Sequence, residues 1–373
     1  MIYLDNHSTT QLDPQVLEAM LPWLQRPANT GAKHALGQQA QEAVQVAREQ
    51  VARLVGADPV EIVFTSGATE SNNLAIRGAL SKGSHAITST YEHKAVLEPL
   101  RRHEATGQLS LVRVGEEGVV SPESVSRAIR NDTRFVSVMW ANNEVGTIND
   151  IPEIGQICRE KGIWFHSDAA QAVGKVPIDV KAAGVGLLSM SAHKFHGPQG
   201  VGALFVSRSK PRVVIESLFD GGGQERRMRS GTLNVAGIVG FGKACAIALE
   251  QFSEQHRIAE LRDRLFALLQ EMIPGTKMNG SRNRLAGNLN VSLPGVYAPD
   301  LVKMVGGRVA ISNGSACNTS LIEPSHVLMA MGLSPDRAHA AVRFGLSKWT
   351  TKDDVEEAAK VVSDAAKKIK IVQ

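Results

Sequence analysis

Short apolar runs alternate with helical stretches between residues 62 and 206, and this alternation limits the possible folds more than any other feature of the sequence. Strands that alternate with helices typically form βαβ units, in which helices cover a parallel sheet. We therefore predict an α/β fold with a mostly parallel, seven-stranded sheet. Its strands are predicted at residues 62–65, 86–89, 111–114, 135–140, 164–166, 187–190 and 201–206.

Helical patterns before and after these runs indicate how the rest of the chain is organised. Residues 35–55 carry apolar side chains at helical spacing and stop at Gly56, which suits a C-cap. Residues 232–272 are helical in pattern, and shorter strands follow at 289–293, 309–312 and 341–346. We predict a large domain over residues 1–250, with segment 1–30 packing on a smaller α+β domain over residues 251–373.

Composition and charge exclude several functional classes. No apolar run approaches the length of a membrane span, and the N-terminus resembles neither a signal nor a transit peptide, so we expect a cytoplasmic protein. Three widely spaced cysteines without a Cys-x-x-Cys pair indicate neither a disulfide framework nor a structural metal site. The net charge of +4 is mild and, apart from residues 226–229, scattered, which argues against direct nucleic-acid binding.

Lys194 directly follows the predicted strand 187–190 and is flanked by His193 and His196. A lysine at the end of a buried strand is partly desolvated, which lowers the pKa of its amine and leaves it free to form a Schiff base. The alternative is an ordinary surface lysine at a strand-to-loop junction. Lys194 alone does not decide between these interpretations.

The small-residue turn over residues 65–73 (TSGATESNN) follows the first strand of the predicted sheet and leads into a helix. Backbone N–H groups and the Thr69 hydroxyl could approach a phosphate closely there, and a helix N-terminus favours anions. The alternative is an ordinary N-cap formed by Thr69 or Ser71. The turn lacks the Gly-Lys-Ser/Thr ending of a nucleotide-binding P-loop.

Asp168 follows another strand of the predicted sheet, 26 residues before Lys194. A carboxylate at the end of such a strand lies where open α/β sheets bind ligands, and it can pair with a protonated ring nitrogen. A helix N-cap is the alternative for Asp168. A phosphate turn, an aspartate and a lysine in this order together predict a pocket for pyridoxal phosphate.

Two further strand ends carry polar side chains. Asn143, in the run 140–146, could hold a ligand carboxylate or ring hydroxyl. His93 could stack on a cofactor ring and transfer protons near neutral pH. A lone histidine at a helix start is more often a cap.

Cys317 lies in a run of small and polar residues, 312–320, which predicts a loop with an exposed, reactive thiol. Cys158 and Cys245 lie within apolar helical patterns and are expected to be buried and inert. Arg343 stands among apolar residues of a predicted strand, where it either binds a substrate carboxylate or lies on the solvated face.

These segments together resemble the cysteine desulfurases of the NifS/IscS type, class V members of the fold-type I pyridoxal-phosphate enzymes. The resemblance extends from Tyr3 to the last predicted helix. The motifs that carry it are 66–73 (SGATESNN), 142–144 (NNE), 191–194 (SAHK), 229–232 (RSGT) and 314–317 (GSAC).

The resemblance implies roles for individual residues. Lys194 would hold the cofactor and later transfer protons, and Thr232 would reach the cofactor phosphate from the other subunit of a homodimer. The residues implied in phosphate binding within one chain are Ala68, Thr69, Ser191 and His193. The residues implied around the ring are Asp168 at the pyridine nitrogen, Gln171 at the hydroxyl and His93 on the ring face.

The resemblance also implies a reaction and partners. Asn143 and Arg343 would hold the carboxylate of L-cysteine, and the Cys317 thiolate would take its sulfur, leaving L-alanine. The persulfide would pass to an acceptor protein, such as an iron–sulfur scaffold or a tRNA-thiolation enzyme. Cys317 would transiently ligate an iron–sulfur cluster together with such a partner, and no structural metal is expected.

Three alternatives remain at this point. The cofactor pocket alone would also serve a class V aminotransferase or a selenocysteine lyase, and a sulfur-relay binding protein with little turnover could keep the same fold.

Residues 6–8 and 29–34 differ from the usual family forms, and we expect both segments to shape the entrance of the active site. The physiological sulfur acceptor is not named by the sequence.

Overall fold

A computed structural model describes residues 1–105, 108–314 and 323–372 of the chain. It contains the expected seven-stranded sheet, with strands in the order β2-β8-β7-β6-β5-β3-β4. Only β8 runs against its neighbours, so the prediction of a mostly parallel sheet is confirmed. The strands are β1 (Ile2–Tyr3), β2 (Ile62–Thr65), β3 (His85–Ser89), β4 (Gln108–Val112), β5 (Thr133–Ser137), β6 (Trp164–Asp168), β7 (Leu187–Ser191), β8 (Gly202–Val206), β9 (Lys277–Met278), β10 (Asn288–Ser292), β11 (Val309–Ala310) and β12 (Ala341–Gly345).

Helices cover both faces of this sheet. The helix predicted at 35–55 is present with those bounds, and Gly56 ends it in the left-handed conformation, at φ 71°. The α-helices are α1 (Pro14–Gln25), α2 (Ala35–Val55), α3 (Ala68–Ala79), α4 (Lys94–Glu104), α5 (Pro122–Ala128), α6 (Ile151–Glu160), α7 (Val235–Glu250), α8 (Glu254–Met272), α9 (Ala298–Val305), α10 (His326–Ala330), α11 (Pro335–His339) and α12 (Lys352–Val372).

Alternating side chains of the strands face two different layers of helices. In β2, Ile62 and Phe64 belong to one apolar cluster and Val63 belongs to another on the opposite face. The edge strand β4 is the least buried strand of the sheet and lies a few residues before its predicted position. Only Val112 of β4 is buried, so the strand lacks the run of apolar residues from which its position was predicted.

A third apolar cluster lies between α8, α9, α12 and the antiparallel sheet β12-β10-β9. From the N-terminus, Leu4 joins this cluster and β1 pairs with β11. By contrast, Val16 of α1 packs into the cluster of the large sheet, so the packing of segment 1–30 differs from the prediction beyond its first residues.

The long helical stretch of the sequence is broken at residues 251–253, between α7 and α8, which lie at 80° to each other. This break coincides with the boundary expected near residue 250, and the division into domains 1–250 and 251–373 stays a prediction. In the described part of the chain no single helix is long and apolar enough to cross a membrane, and only the bent pair α7 and α8 passes by length and composition.

A buried ion pair fixes α2 against β2 and the segment before α7. The Arg48 guanidinium donates to both carboxylate oxygens of Glu225, at 2.7 and 2.8 Å, and the Phe64 amide donates to the same carboxylate. Glu225, Arg226 and Arg227 all have positive φ angles, between 46° and 66°. Non-glycine residues adopt this conformation at a cost, so the ion pair holds a strained turn in place.

Replacing Glu225→Ala should lower the free energy of unfolding by about 3–5 kcal/mol, because the Arg48 charge would stay buried without its partner. Chemical denaturation of the purified protein measures this change. Glu98→Ala removes the exposed partner of Arg101 and should cost under about 1 kcal/mol. Equal losses for the two variants would contradict a structural role of the buried pair.

Candidate active site

A pocket of about 520 Å³ opens at the carboxyl ends of the parallel strands. The loops after β2, β3, β5, β6 and β7 reach this edge of the sheet, where ligands of open α/β folds bind. The structure brings together most of the predicted site residues here. They are Ala68, Thr69, His93, Asn143, Asp168, Gln171, Ser191, His193, Lys194 and Arg343.

Lys194 ends a short 3₁₀ turn, Ala192–Lys194, that directly follows β7. Its amine lies inside the pocket and donates to the carbonyl oxygens of His7 and Ser8, at 2.8 and 2.7 Å. Desolvation, with the positive charge of Arg343, lowers the pKa of the Lys194 amine to about 8. The surface-lysine interpretation is therefore wrong, and a substantial fraction of this amine is neutral near physiological pH.

The turn before α3 has the features of an anion site. Gly67 precedes the helix, so no side chain caps its first amides, and its φ of 150° favours glycine. The Ser71 hydroxyl bonds to the Thr65 hydroxyl instead, so the alternative of a cap by Thr69 or Ser71 is wrong. Uncapped amides at the start of a 12-residue helix can bind a phosphate.

Ser191 and His193 face the same turn. The Ser191 hydroxyl lies 3.8 Å from where a side chain at Gly67 would begin. Desolvation and the nearby charges of Lys194 and Lys175 lower the pKa of His193 to about 4, so this imidazole is neutral at physiological pH. Its Nδ1 lies 3.0 Å from the Thr9 hydroxyl.

Asp168 is the last residue of β6 and is buried. Its Oδ1 accepts from the amide of Ala170, as in an N-cap, and its Oδ2 accepts from the side-chain amide of Asn72 at 2.7 Å. Sequence reasoning missed Asn72 as a partner of Asp168, although Asn72 belongs to one of the quoted motifs. Its contact spans 96 residues, which local pattern does not reveal.

Gln171 is held by two groups that the sequence analysis did not place in the pocket. Its Oε1 accepts from Lys175 Nζ and contacts His7 Nδ1, both at 2.9 Å, and its Nε2 donates to the His7 carbonyl. Because a carbonyl oxygen only accepts, His7 Nδ1 must carry the proton. Desolvation, with Lys194 and Arg343 nearby, lowers the pKa of Lys175 to about 7.

The two atypical segments occupy different places from those expected. His7 is buried beneath the pocket rather than at its entrance, while the exposed Ser8 lies on its wall. No residue of segment 29–34 lines the described pocket; His34 instead caps α2. The expectation that this segment shapes the entrance is therefore wrong for a single chain.

His93 caps a helix, as the alternative predicted, and also lies at the wall of the pocket. Its Nδ1 caps α4 by accepting from the Ala95 amide, and its ring also lines the pocket. Desolvation lowers the pKa of His93, Asp168 partly opposes this effect, and Lys194 adds to it. A neutral imidazole at this wall can stack on an aromatic ligand.

Arg343 lies in β12 with its side chain only 6% exposed, so the solvated-face alternative is wrong. Its guanidinium donates to Asp5 and the Ser8 hydroxyl, each at 2.8 Å, and to the Asn143 carbonyl at 2.9 Å. Arg343 Nε and Asn143 Oδ1 are buried without a partner among the described residues. The Arg343 Nε–H can donate to a bound carboxylate or cofactor oxygen, and Asn143 Oδ1 can accept from a donor on a ligand.

Two predicted residues, Thr232 and Cys317, remain. Thr232 is exposed and does not line the pocket of its own chain, and Cys317 lies outside the described residues. Cys158 and Cys245 are buried as expected, and desolvation raises the pKa of the Cys158 thiol to about 12.

The donor set fits pyridoxal phosphate. The uncapped amides before α3 suit its phosphate, the Asp168 carboxylate suits a protonated ring nitrogen, and the partly neutral Lys194 amine suits its aldehyde. The buried, unpartnered amide oxygen of Asn143 also requires a donor from a ligand. Groups of these three kinds at one sheet edge correspond to the three polar parts of this cofactor.

Comparisons with known proteins agree with this chemistry. The model of the class-V aminotransferase family matches residues 2–358. The cysteine desulfurase IscS of Anaeromyxobacter dehalogenans is 48% identical over 99% of this chain and 93% of its own length. A solved NifS-like protein matches with a TM-score of 0.90 at 35% identity, over 97% of this chain and 98% of its own. A structure of SspA in complex with cysteine matches with a TM-score of 0.82 at 36% identity, over 94% and 100%.

The rate at which cofactor-free protein takes up pyridoxal phosphate should rise with pH through about 8, because only the neutral Lys194 amine attacks the aldehyde. Arg343→Gln removes a positive charge that lowers this pKa, so the midpoint should move to higher pH. Asp5→Asn removes a negative charge that raises it, so the midpoint should move to lower pH. Visible absorbance of the bound cofactor follows the uptake, and shifts in the same direction for both variants would contradict the assignment.

Proposed function

Because the chain belongs to the class-V aminotransferase family, we propose that the described pocket and Cys317 together carry out its reaction. The chain is a pyridoxal-phosphate-dependent cysteine desulfurase, an enzyme that takes sulfur from L-cysteine and leaves L-alanine. The observation that carries the assignment of residues is the Lys194 amine, which is desolvated and lies in the pocket with Asp168.

Lys194 moves protons at the substrate in this proposal. Pyridoxal phosphate, when bound, supplies an electron sink at the α-carbon of the amino acid. Its phosphate would be held by Ala68, Thr69, Ser191 and His193, and its ring by His93, Asp168, Gln171 and Asn143. Lys194 Nζ would take the proton from the α-carbon of the substrate, and a neutral amine is required for that step.

Arg343 and Asn143 orient the substrate. The guanidinium is held by Asp5, Ser8 and the Asn143 carbonyl, which fixes its plane before a ligand arrives. Its buried Nε and the remaining N–H groups can donate to the carboxylate of L-cysteine. A fixed carboxylate places the α-proton and the thiol of the substrate in a defined direction.

Cys317 is the sulfur acceptor in this proposal. Its thiolate attacks the sulfur of L-cysteine, an S–S bond forms, and the C–S bond of the substrate breaks. The electron pair of that bond stays with carbon, which takes up a proton and is released as L-alanine. The sulfur is thereby oxidised to a persulfide on Cys317, which a sulfur-acceptor protein then receives.

Cys317→Ala should abolish persulfide formation and reduce the release of alanine from cysteine by at least about a hundredfold, because no other thiol reaches the substrate. Bound cofactor should stay at the wild-type level. Mass spectrometry and alanine quantification measure the two effects. Cys158→Ala is the matched control and should keep the wild-type rate, since its thiol is buried. Unchanged alanine release by Cys317→Ala would instead favour a lyase, and formation of a 2-oxo acid from cysteine without alanine would favour an aminotransferase.

We also propose a homodimer in which Thr232 binds the cofactor phosphate of the partner subunit. Two features support it: Thr232 is exposed, and α1 presents an apolar stripe to solvent. The stripe consists of Leu17, Leu21 and Leu24, which recur at helical spacing on one face. An exposed stripe of this kind marks a protein interface. A cytoplasmic location and transfer of sulfur to an iron–sulfur scaffold or a thiolation enzyme remain predictions.

Mixed dimers test the position of Thr232. Thr232→Ala should weaken cofactor binding about tenfold through loss of a charge-assisted hydrogen bond. A dimer of one Thr232→Ala chain and one Lys194→Ala chain should contain one site of wild-type affinity, since the intact Thr232 serves the intact Lys194. If Thr232 acted within its own chain, this mixed dimer would contain no such site.

A further inference from the structure

Glu144 contacts both described flanks of the segment that carries Cys317. The Ser325 hydroxyl donates to Glu144 Oε2 at 2.5 Å. On the other flank, a side chain at Gly314 would begin only 2.5 Å from the same oxygen, so the backbone of Gly314 packs against the carboxylate. One buried carboxylate therefore contacts the chain on both sides of the segment 315–322 that contains Cys317.

The backbone of Glu144 is itself held by several hydrogen bonds. The amides of Glu144 and Val145 donate to Asn142 Oδ1, at 2.8 and 3.0 Å, and the Glu144 carbonyl accepts from the side chains of Asn288 and Asn290. Glu144 is only 4% exposed, and burial raises its pKa to about 7. A buried carboxylate is stable only if it is hydrogen-bonded, so the Ser325 hydroxyl that donates to Glu144 stabilises it.

The same corner of the structure carries the proposed substrate site. Asn143 precedes Glu144, and its carbonyl accepts from Arg343. On the flank before Cys317, Ser312 exchanges two backbone hydrogen bonds with Arg343, and the Gly314 amide donates to the Ser312 hydroxyl. The anchor at Gly314 thus has a fixed position relative to the guanidinium of Arg343.

The contact at Gly314 matters because few residues separate Gly314 from Cys317. Cys317 follows Gly314 by only three residues, which span at most about 11 Å when extended. Ser325 lies eight residues after Cys317 and allows a reach of up to about 29 Å. The short connection to Gly314 therefore sets the tighter limit on which atoms of the pocket the thiol can reach.

We propose that Glu144 is a positioning residue for sulfur transfer, which fixes Gly314 and Ser325 and thereby the range of positions open to the Cys317 thiol relative to Arg343. This inference rests on the proposed role of Cys317. Glu144 touches neither substrate nor cofactor in this role. Its effect falls on the step in which sulfur moves, after cysteine has bound.

The test uses the cofactor-loaded enzyme and the variants Ser325→Ala and Glu144→Ala. The rate of persulfide formation on Cys317 after mixing with cysteine should fall about tenfold, because a displaced nucleophile loses its alignment. The affinity for cysteine, read from the cofactor absorbance, should stay within about twofold of the wild type, since Asn143 and Arg343 are unchanged. Glu144→Gln keeps an oxygen that accepts from Ser325 and should recover most of the rate.

Ser121→Ala is the matched control, because its hydroxyl also donates to a carboxylate, that of Glu123, far from the pocket. This variant should keep the wild-type rate of persulfide formation. Thermal unfolding of each variant shows whether it is folded, and Ser325→Ala, the smaller change, suffices if Glu144→Ala does not fold.

Two results would overturn the inference. Ser325→Ala could form the persulfide within twofold of the wild-type rate, or it could lose cysteine affinity and rate in equal measure. Failure of the proposed function gives a different pattern: the wild type itself would release alanine without any persulfide on Cys317.

Discussion

Residues 5–8 cross the pocket between the large sheet and the smaller antiparallel sheet, and the geometry of the site depends on them. Asp5 and Ser8 hold the guanidinium of Arg343, which belongs to the antiparallel sheet. The carbonyl of Ser8 accepts from Lys194, which follows a strand of the large sheet. A short turn thus fixes a lysine and an arginine, 149 positions apart in sequence, against each other. The partly buried Asp5–Arg343 ion pair is its strongest single contact.

This arrangement concentrates positive charge in the pocket. Lys194 and Arg343 lower the pKa of the Lys175 amine, Arg343 lowers that of Lys194, and Asp168 and Asp5 partly offset the effect at Lys194. A phosphate and a carboxylate would neutralise such a site, so ligand binding and charge balance favour each other. The same crowding keeps part of the Lys194 population neutral, which its chemistry requires.

The sequence predicted the parts of this molecule that local pattern determines. The strands of the sheet were placed by their apolar runs, and Lys194 and Asp168 by their positions at strand ends. Long-range partners were not found this way: Asn72 reaches Asp168 across 96 residues, and His7 contacts Gln171 across 164. Residues 6–8 differ from the usual family forms, but the burial of Asn6 and His7 depends on where the pairing of β1 with β11 places them, which the two residues of β1 do not reveal.

The ion pair between Glu70 and Arg229 has a thermodynamic consequence for the proposed dimer. Glu70 lies in the first turn of α3, at the proposed phosphate site, and Arg229 lies three residues before Thr232. This ion pair therefore connects the proposed phosphate site with the segment proposed to bind the neighbouring protomer. Linked equilibria are reciprocal, so cofactor would strengthen subunit association and association would strengthen cofactor binding. The fraction of enzyme that carries cofactor would then depend on protein concentration, and dilution alone would empty the site.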